Sequence, residues 1–204
     1  MDLPHKGGNI GGHTIKGMEN RNLPAVSAEV LERARRIKLF LMDVDGTLTD
    51  GQVCLISLPD GSVAEMKPFS ARDGQGLKLA GIMGIETGFI TGRRSPAVAH
   101  RAKEMGVRFV YLGQATKTAA FEQCLAQAGV TAEETAYMGD DLPDMPLARL
   151  AGLAVAVSNA DEELKALCHY TTVAHGGRGA AREVVELILK AQGRWEEAVP
   201  KALA

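Results

Sequence analysis

Aromatic side chains are scarce in this sequence, at 4% of 204 residues with a single tryptophan. Aliphatic residues must fill any core, and a hydrophobic share of 46% suffices for a sizeable one. A bias toward one charge is also lacking: 23 Lys+Arg against 25 Asp+Glu leave a net charge of −2. Such balance carries no footprint for nucleic acid or an anionic membrane. No apolar run approaches the roughly 20 residues that span a bilayer, and residues 1–20 hold no apolar stretch of the secretory kind. Cysteine is sparse as well. Cys54, Cys124 and Cys168 are widely spaced and odd in number, which argues against a disulfide framework or a cysteine zinc site and leaves them as packing residues. The expectation is a soluble cytoplasmic protein with one domain.

Residues 1–23 are glycine-rich and read as a flexible arm, a reading preferred over a metal site at His5 and His13. A single domain is expected over 24–199, with 200–204 as a tail. Helical patterns cover 27–36 (Ser27 as N-cap), 76–83, 95–105 (Ser95 followed by Pro96), 118–128, 160–167 and 180–192. Apolar runs at 38–42, 86–90, 107–111, 135–138 and 153–157 read as buried parallel strands, with a short edge strand at 170–173. Between them, 53–69 holds two strand-like runs about Pro59-Asp60-Gly61, a β-hairpin leaving the main sheet at about 53–66. Strand–helix alternation predicts an α/β fold: an open parallel sheet with right-handed crossovers. Ligands of such sheets bind at the carboxyl ends of the strands.

Those ends carry chemistry. The first strand closes with Asp43-Val44-Asp45-Gly46-Thr47. Two carboxylates just past a buried strand are costly unless a hard cation such as Mg²⁺ neutralises them, although an Asp/Gly-rich turn is the plainer reading of two aspartates alone. The second closes with Thr91-Gly92-Arg93-Arg94 ahead of a helix, a plausible phosphate cradle. Lys117 stands at the start of a helix, against the macrodipole, where a cation is locally unfavourable. Gly139-Asp140-Asp141-Leu142-Pro143-Asp144 closes the fourth, either as a cation site or as a capped helix start. Each signal is modest alone, but all should converge at one edge of the sheet.

In this order the segments resemble the motifs of the haloacid dehalogenase-like phosphotransferases. A narrower resemblance, over about 26–199, is to the family of 3-deoxy-D-manno-octulosonate 8-phosphate phosphatases, a capless branch. It is carried by 43–51, by Phe69-Ser70-Ala71-Arg72-Asp73-Gly74-Gln75-Gly76, by Thr91-Gly92-Arg93, by Gly176-Gly177-Arg178-Gly179-Ala180-Ala181-Arg182-Glu183 and by 188–193. The resemblance implies a Rossmann-like parallel sheet with helices on both faces plus a protruding hairpin. It implies Asp43 as nucleophile, forming an aspartyl-phosphate, and Asp45 as acid and then base. Mg²⁺ would be held by Asp43, the Asp45 main-chain carbonyl and Asp140. Thr91 and Lys117 would hold the phosphoryl oxygens, with Asp144 orienting Lys117. Substrate contacts would come from Asp45, Ser70, Ala71, Arg72, Asp73, Gly74, Lys78, Gly92, Arg93, Arg101, Lys117 and Arg178. The cations match a sugar that carries both a phosphate and a carboxylate. The family further implies a homotetramer, with the hairpin and the C-terminal tail of neighbouring chains over each pocket, and a place in lipopolysaccharide precursor synthesis. Residues 176–179 fit a mobile segment reaching an adjacent site, or else a glycine-rich loop capping the last helix.

Other readings stay in play. One is a phosphatase of a nine-carbon 2-keto sugar acid 9-phosphate. Another is a non-catalytic homologue that binds a ligand or an assembly partner, which the intact Asp43 and Asp45 disfavour. Haloalkanoate dehalogenation is disfavoured by Asp45 and by the missing cap. Dinucleotide binding is disfavoured because no Gly-x-Gly-x-x-Gly follows the first strand.

Overall fold

The computed structural model describes residues 26–202. Its centre is a six-stranded sheet in the order β5-β4-β1-β6-β7-β8, built from β1 (Leu39–Met42), β4 (Glu86–Thr91), β5 (Phe109–Leu112), β6 (Thr135–Gly139), β7 (Leu153–Ala156) and β8 (Tyr170–Thr171). Every pairing in it is parallel. The separate hairpin pairs β2 (Cys54–Ser57) with β3 (Val63–Met66) in antiparallel register.

Side chains alternate across a strand, and β1 shows the result. Phe40 and Met42 join the core under α1 (Ala28–Arg35), α2 (Ala71–Ile82) and α7 (Ala180–Ala191), with Ala34, Leu77 and Ile188. Leu39 and Leu41 join the core on the other face, with Phe121 of α4 (Thr118–Ala128) and Leu147 of α5 (Met145–Leu150). Burial on both faces is why β1 reads as an uninterrupted apolar run. The sheet grows outward from β1 in both directions, through β4 on one side and β6 on the other. This is the switch point at which loops splay apart and leave a crevice.

Expected caps are in place. Ser27 Oγ accepts the Val30 N–H, and Ser95 Oγ accepts the Val98 N–H at the start of α3 (Pro96–Met105). Some boundaries differ. The α2 helix begins at Ala71 rather than Gly76, because Ser70 caps it by accepting the Asp73 N–H. Glycines in its first turns hide that start from propensity. The predicted helix over 160–167 is α6 (Glu162–Leu167). Two helices went unanticipated: α5, too short to show a period, and α8 (Trp195–Lys201), which crosses the expected boundary between domain and tail. The proposed arm over 1–23, with His5 and His13, lies outside the described residues.

Residues 176–179 pack as a loop against the first motif of their own chain. The Gly177 N–H donates to Thr47 O at 3.0 Å. A Cβ on Gly176 would stand 1.7 Å from Gly46 O, so only glycine lets this loop press against the first motif.

Candidate active site

The loop after β1 folds back on itself: Val44 O accepts N–H groups from Leu48 at 2.9 Å and Thr49 at 3.0 Å. Gly46 adopts φ +92°, and a Cβ there would meet Asp140 Oδ2 at 2.0 Å. The glycine therefore serves two needs, a left-handed turn and the approach of a carboxylate from the loop after β6. Thr47 Oγ1 donates to Asp140 Oδ1 at 2.8 Å and fixes that approach.

Lys117, at the N-cap of α4, has its ammonium 2.7 Å from Asp43 Oδ1 and 2.6 Å from Asp144 Oδ1. All three groups are buried. Asp144 is saturated: Oδ1 also accepts from the Tyr137 hydroxyl at 2.6 Å, and Oδ2 accepts N–H bonds from Asp140 at 3.0 Å and Asp141 at 3.3 Å. Burial, reinforced by Asp144 and Asp43, holds the Tyr137 hydroxyl well above its ordinary range, so it remains a donor. Asp144 thus works as a bracket for Lys117.

One ammonium faces too many carboxylates. Burial is the largest influence on Asp43 and pushes it up to about 6; Lys117 opposes this and Asp144 adds to it. Burial likewise pushes Asp140 up to about 7, against the Thr47 hydrogen bond and with help from Asp43 and Asp144. Burial pulls Lys117 down, but Asp43 and Asp144 together outweigh it and the ammonium ends raised. Asp43, Asp140 and Asp144 each offer an oxygen within 4.8 Å of the others. Hard oxygen donors with surplus negative charge suit a divalent hard cation. Since Asp144 is committed elsewhere, Asp43 and Asp140 are the carboxylates left to hold one.

These groups open into a cavity of about 490 Å³ between the β1, β4, β5 and β6 loops, lined also by Asp45, Thr91, Gly92, Arg93, Gln114, Thr116 and Thr118. Of the residues expected from sequence, Asp43, Asp45, Thr91, Gly92, Arg93, Lys117 and Asp140 meet here. Ser70, Ala71, Arg72, Gly74, Lys78, Arg101 and Arg178 are not on its wall. Arg101 pairs with Glu104 at 3.1 Å, and Arg178 lies 3.7 Å from Asp50 with its side chain 70% exposed. Asp73, expected to contact the substrate, is not on the cavity wall either. It is fully buried, and its carboxylate accepts the Gly179 N–H at 3.0 Å and the Arg182 N–H at 2.9 Å. It caps α7.

Sequence reading missed Thr47, Tyr137, Glu65 and Lys67. Lys67, just past β3, places its buried ammonium on Asp45 Oδ1. Arg93 Nη2 donates to Glu65 Oε1 at 2.6 Å. For Glu65 and Lys67 the only hint was their position in or just past a hairpin next to the first motif.

Similarity to known proteins agrees with this geometry. A haloacid dehalogenase-like hydrolase profile matches residues 103–183. The chain is 41% identical over 173 residues to the 3-deoxy-D-manno-octulosonate 8-phosphate phosphatase KdsC of Escherichia coli, covering 85% of this chain and 90% of that protein. The crystal structure of the 3-deoxy-D-manno-octulosonate 8-phosphate phosphatase from Moraxella catarrhalis, in complex with magnesium, phosphate and KDO, aligns with a TM-score of 0.79. It is 42% identical over 85% of this chain and 97% of that one. A probable YrbI family phosphatase from Pseudomonas syringae aligns with a TM-score of 0.80, at 43% identity over 87% of this chain and 99% of that one. With the acid pair, the buried lysine and the paired aspartates all at the switch point, the chain belongs to the haloacid dehalogenase-like hydrolases, in their 3-deoxy-D-manno-octulosonate 8-phosphate phosphatase family.

Proposed function

We propose that this enzyme is a Mg²⁺-dependent phosphatase that hydrolyses 3-deoxy-D-manno-octulosonate 8-phosphate to the free sugar acid and phosphate. The observation that carries the reading is Lys117 buried between Asp43 and Asp144, with Asp140 beside them. Asp43 is the nucleophile, and its attack on phosphorus yields an aspartyl-phosphate. Lys117 and Thr91 neutralise and orient the phosphoryl oxygens, so positioning and electrostatics carry most of the rate. Asp45 gives a proton to the departing sugar oxygen and then takes one from the attacking water. Asp43, the Asp45 main-chain carbonyl and Asp140 would hold the metal, which when bound supplies charge neutralisation at the phosphoryl group. Arg93 offers a fork for the sugar carboxylate. The magnesium, phosphate and KDO of the Moraxella catarrhalis relative support this assignment of partners.

The enzyme's setting is proposed on the same basis: a cytoplasmic homotetramer in lipopolysaccharide precursor synthesis, with no membrane or nucleic-acid partner. Among the described residues no helix is long and apolar enough to cross a membrane. The test is phosphate release from the eight-carbon ester and from its nine-carbon analogue, with and without Mg²⁺, beside Asp43→Asn. The expected result is Mg²⁺-dependent turnover of the eight-carbon ester, abolished in Asp43→Asn. Preference for the nine-carbon ester would keep the mechanism and change the substrate. No release from either by folded protein with Mg²⁺ would overturn the reading.

A further inference from the structure

Lys67 and Glu65, in the ion-pair network at the foot of the hairpin, have no part in the chemistry assigned so far. Lys67 has its side chain 2% exposed, and its ammonium rests on Asp45 Oδ1. An ammonium so buried is tolerated only when paired. Glu65 lies beside it, with Oε1 3.7 Å from Lys67 Nζ and accepting from Arg93 Nη2 at 2.6 Å. The other oxygen, Oε2, accepts the Ser95 hydroxyl at 2.6 Å, and Ser95 is the residue that caps α3. Glu65 therefore latches the hairpin to the start of α3, and the latch delivers Lys67 to Asp45. Asp45 Oδ2 is buried and has no hydrogen-bond partner among the described residues.

We propose that Lys67 is a positioning residue for proton transfer by Asp45: its grip on Oδ1 fixes the carboxyl group that exchanges a proton with the leaving group. The inference rests on the acid/base role given to Asp45 above. In the first half-reaction a bond forms between an Asp43 oxygen and phosphorus and the ester P–O bond breaks. The proton on Asp45 passes to the departing sugar oxygen. In the second half-reaction water attacks phosphorus, its proton goes to Asp45, and the bond from Asp43 to phosphorus breaks to release phosphate. A free carboxylate turns about two torsions, whereas one held by an oxygen keeps a narrow range. A misaligned donor lowers the rate of transfer more than it weakens binding.

The leaving group supplies the test. A sugar alkoxide needs a proton as it departs, and p-nitrophenolate does not. Single-turnover cleavage with enzyme in excess isolates the first half-reaction for 3-deoxy-D-manno-octulosonate 8-phosphate and for p-nitrophenyl phosphate. Maximum rate and half-saturating concentration are compared for the unaltered enzyme, Asp45→Asn, Lys67→Met and Glu65→Gln. Lys67→Met should lose on the order of a hundredfold in maximum rate on the sugar ester and less than about threefold on the aryl ester, with half-saturation unchanged. Glu65→Gln keeps the shape of the latch but not its charge. It should show the same selective loss at smaller size, and it carries the test if Lys67→Met does not fold. Equal losses on both esters would overturn the proposal. So would a shift confined to half-saturation on the sugar ester, which would make Lys67 a substrate ligand. Asp45→Asn reports on the underlying reading. If it is selective and Lys67→Met is not, only the role of Lys67 falls. If Asp45→Asn is not selective, the acid/base role falls and this inference with it.

Discussion

Lys117 touches Asp43 and Asp144 at once, and among the described residues neither carboxylate has another cation against it in the hydrogen-bond network. Removing the ammonium therefore leaves two buried charges unpaired. Lys117→Met should cost about 3–5 kcal/mol of stability and abolish turnover, measured by denaturant melts and phosphate release. Asp43→Asn should behave in the opposite way. It removes a carboxyl that burial already pushes up to about 6, so the variant should fold with equal or higher melting temperature and yet release no phosphate. A stable Asp43→Asn that turns over would remove Asp43 as nucleophile. Acidity gives a further check. Asp43 and Asp140 sit at about 6 and about 7, above an ordinary value of 3.8. A raised carboxyl favours the protonated folded state, so its stabilising contribution is complete below about pH 4 and disappears as pH climbs through about 6 and 7. Metal-free enzyme should lose melting temperature across that window relative to Asp140→Asn, whose neutral side chain can still accept from Thr47. Mg²⁺ binds the ionised form, so it should raise the melting temperature more at about pH 8 than at about pH 5, and do little for Asp140→Asn. Parallel melting curves for the two proteins would dismiss the strain assigned to Asp140.

Elements place these residues, and the sequence showed the elements unevenly. Strands β1 and β4 were readable because a strand buried on both faces is an apolar run, and their carboxyl ends pointed to Asp43, Asp45 and Thr91 once taken together with the other strand ends. The α2 start was hidden because Gly74 and Gly76 oppose helix, although Gly76 is small for a packing reason: a Cβ there would strike the Arg182 backbone at 2.9 Å. Lys67 stayed invisible because a lysine in a hairpin reads as solvated, and Asp45 lies 22 residues away in the chain. Tyr137 and Thr47 were passed over as core and turn, since nothing local shows which carboxylate they will meet. Asp73 shows the complementary limit: it sits inside a family segment, and its partners, the Gly179 and Arg182 N–H groups, lie more than a hundred residues further along the chain. Asp73→Ala should therefore cost about 1–3 kcal/mol through the orphaned donors of α7, with Asp73→Asn losing less. A stable Asp73→Ala with impaired substrate binding would point to a direct role at the substrate.

At the scale of the whole molecule, the hairpin is the part that does not complete itself. A two-stranded sheet alone is marginal in water. Here Leu55 is 64% exposed, Val63 60%, Met66 53% and Ile56 47%. Leu55 and Val63 lie on one face of the hairpin and Ile56 and Met66 on the other; exposed apolar surface of this kind marks an interaction site, and the homotetramer proposed for this enzyme would cover the Ile56 face with hairpins of other copies. The register pairs Leu55 with Glu65 and Ile56 with Ala64. Ile56 therefore projects from the face opposite Glu65, and a change there leaves the Glu65–Ser95 latch untouched. Ile56→Asp buries a charge in any hairpin-to-hairpin contact, which costs several kcal/mol. Sedimentation equilibrium should find the unaltered enzyme well above the 21.7 kDa of one chain and Ile56→Asp shifted toward it. Turnover should fall with the mass, because β3 carries Glu65 and ends beside Lys67, so a hairpin released from its neighbours loosens the group that grips Asp45. Unaltered enzyme sedimenting as a single chain would end the tetramer. Dissociation with full turnover would keep the tetramer and separate it from catalysis.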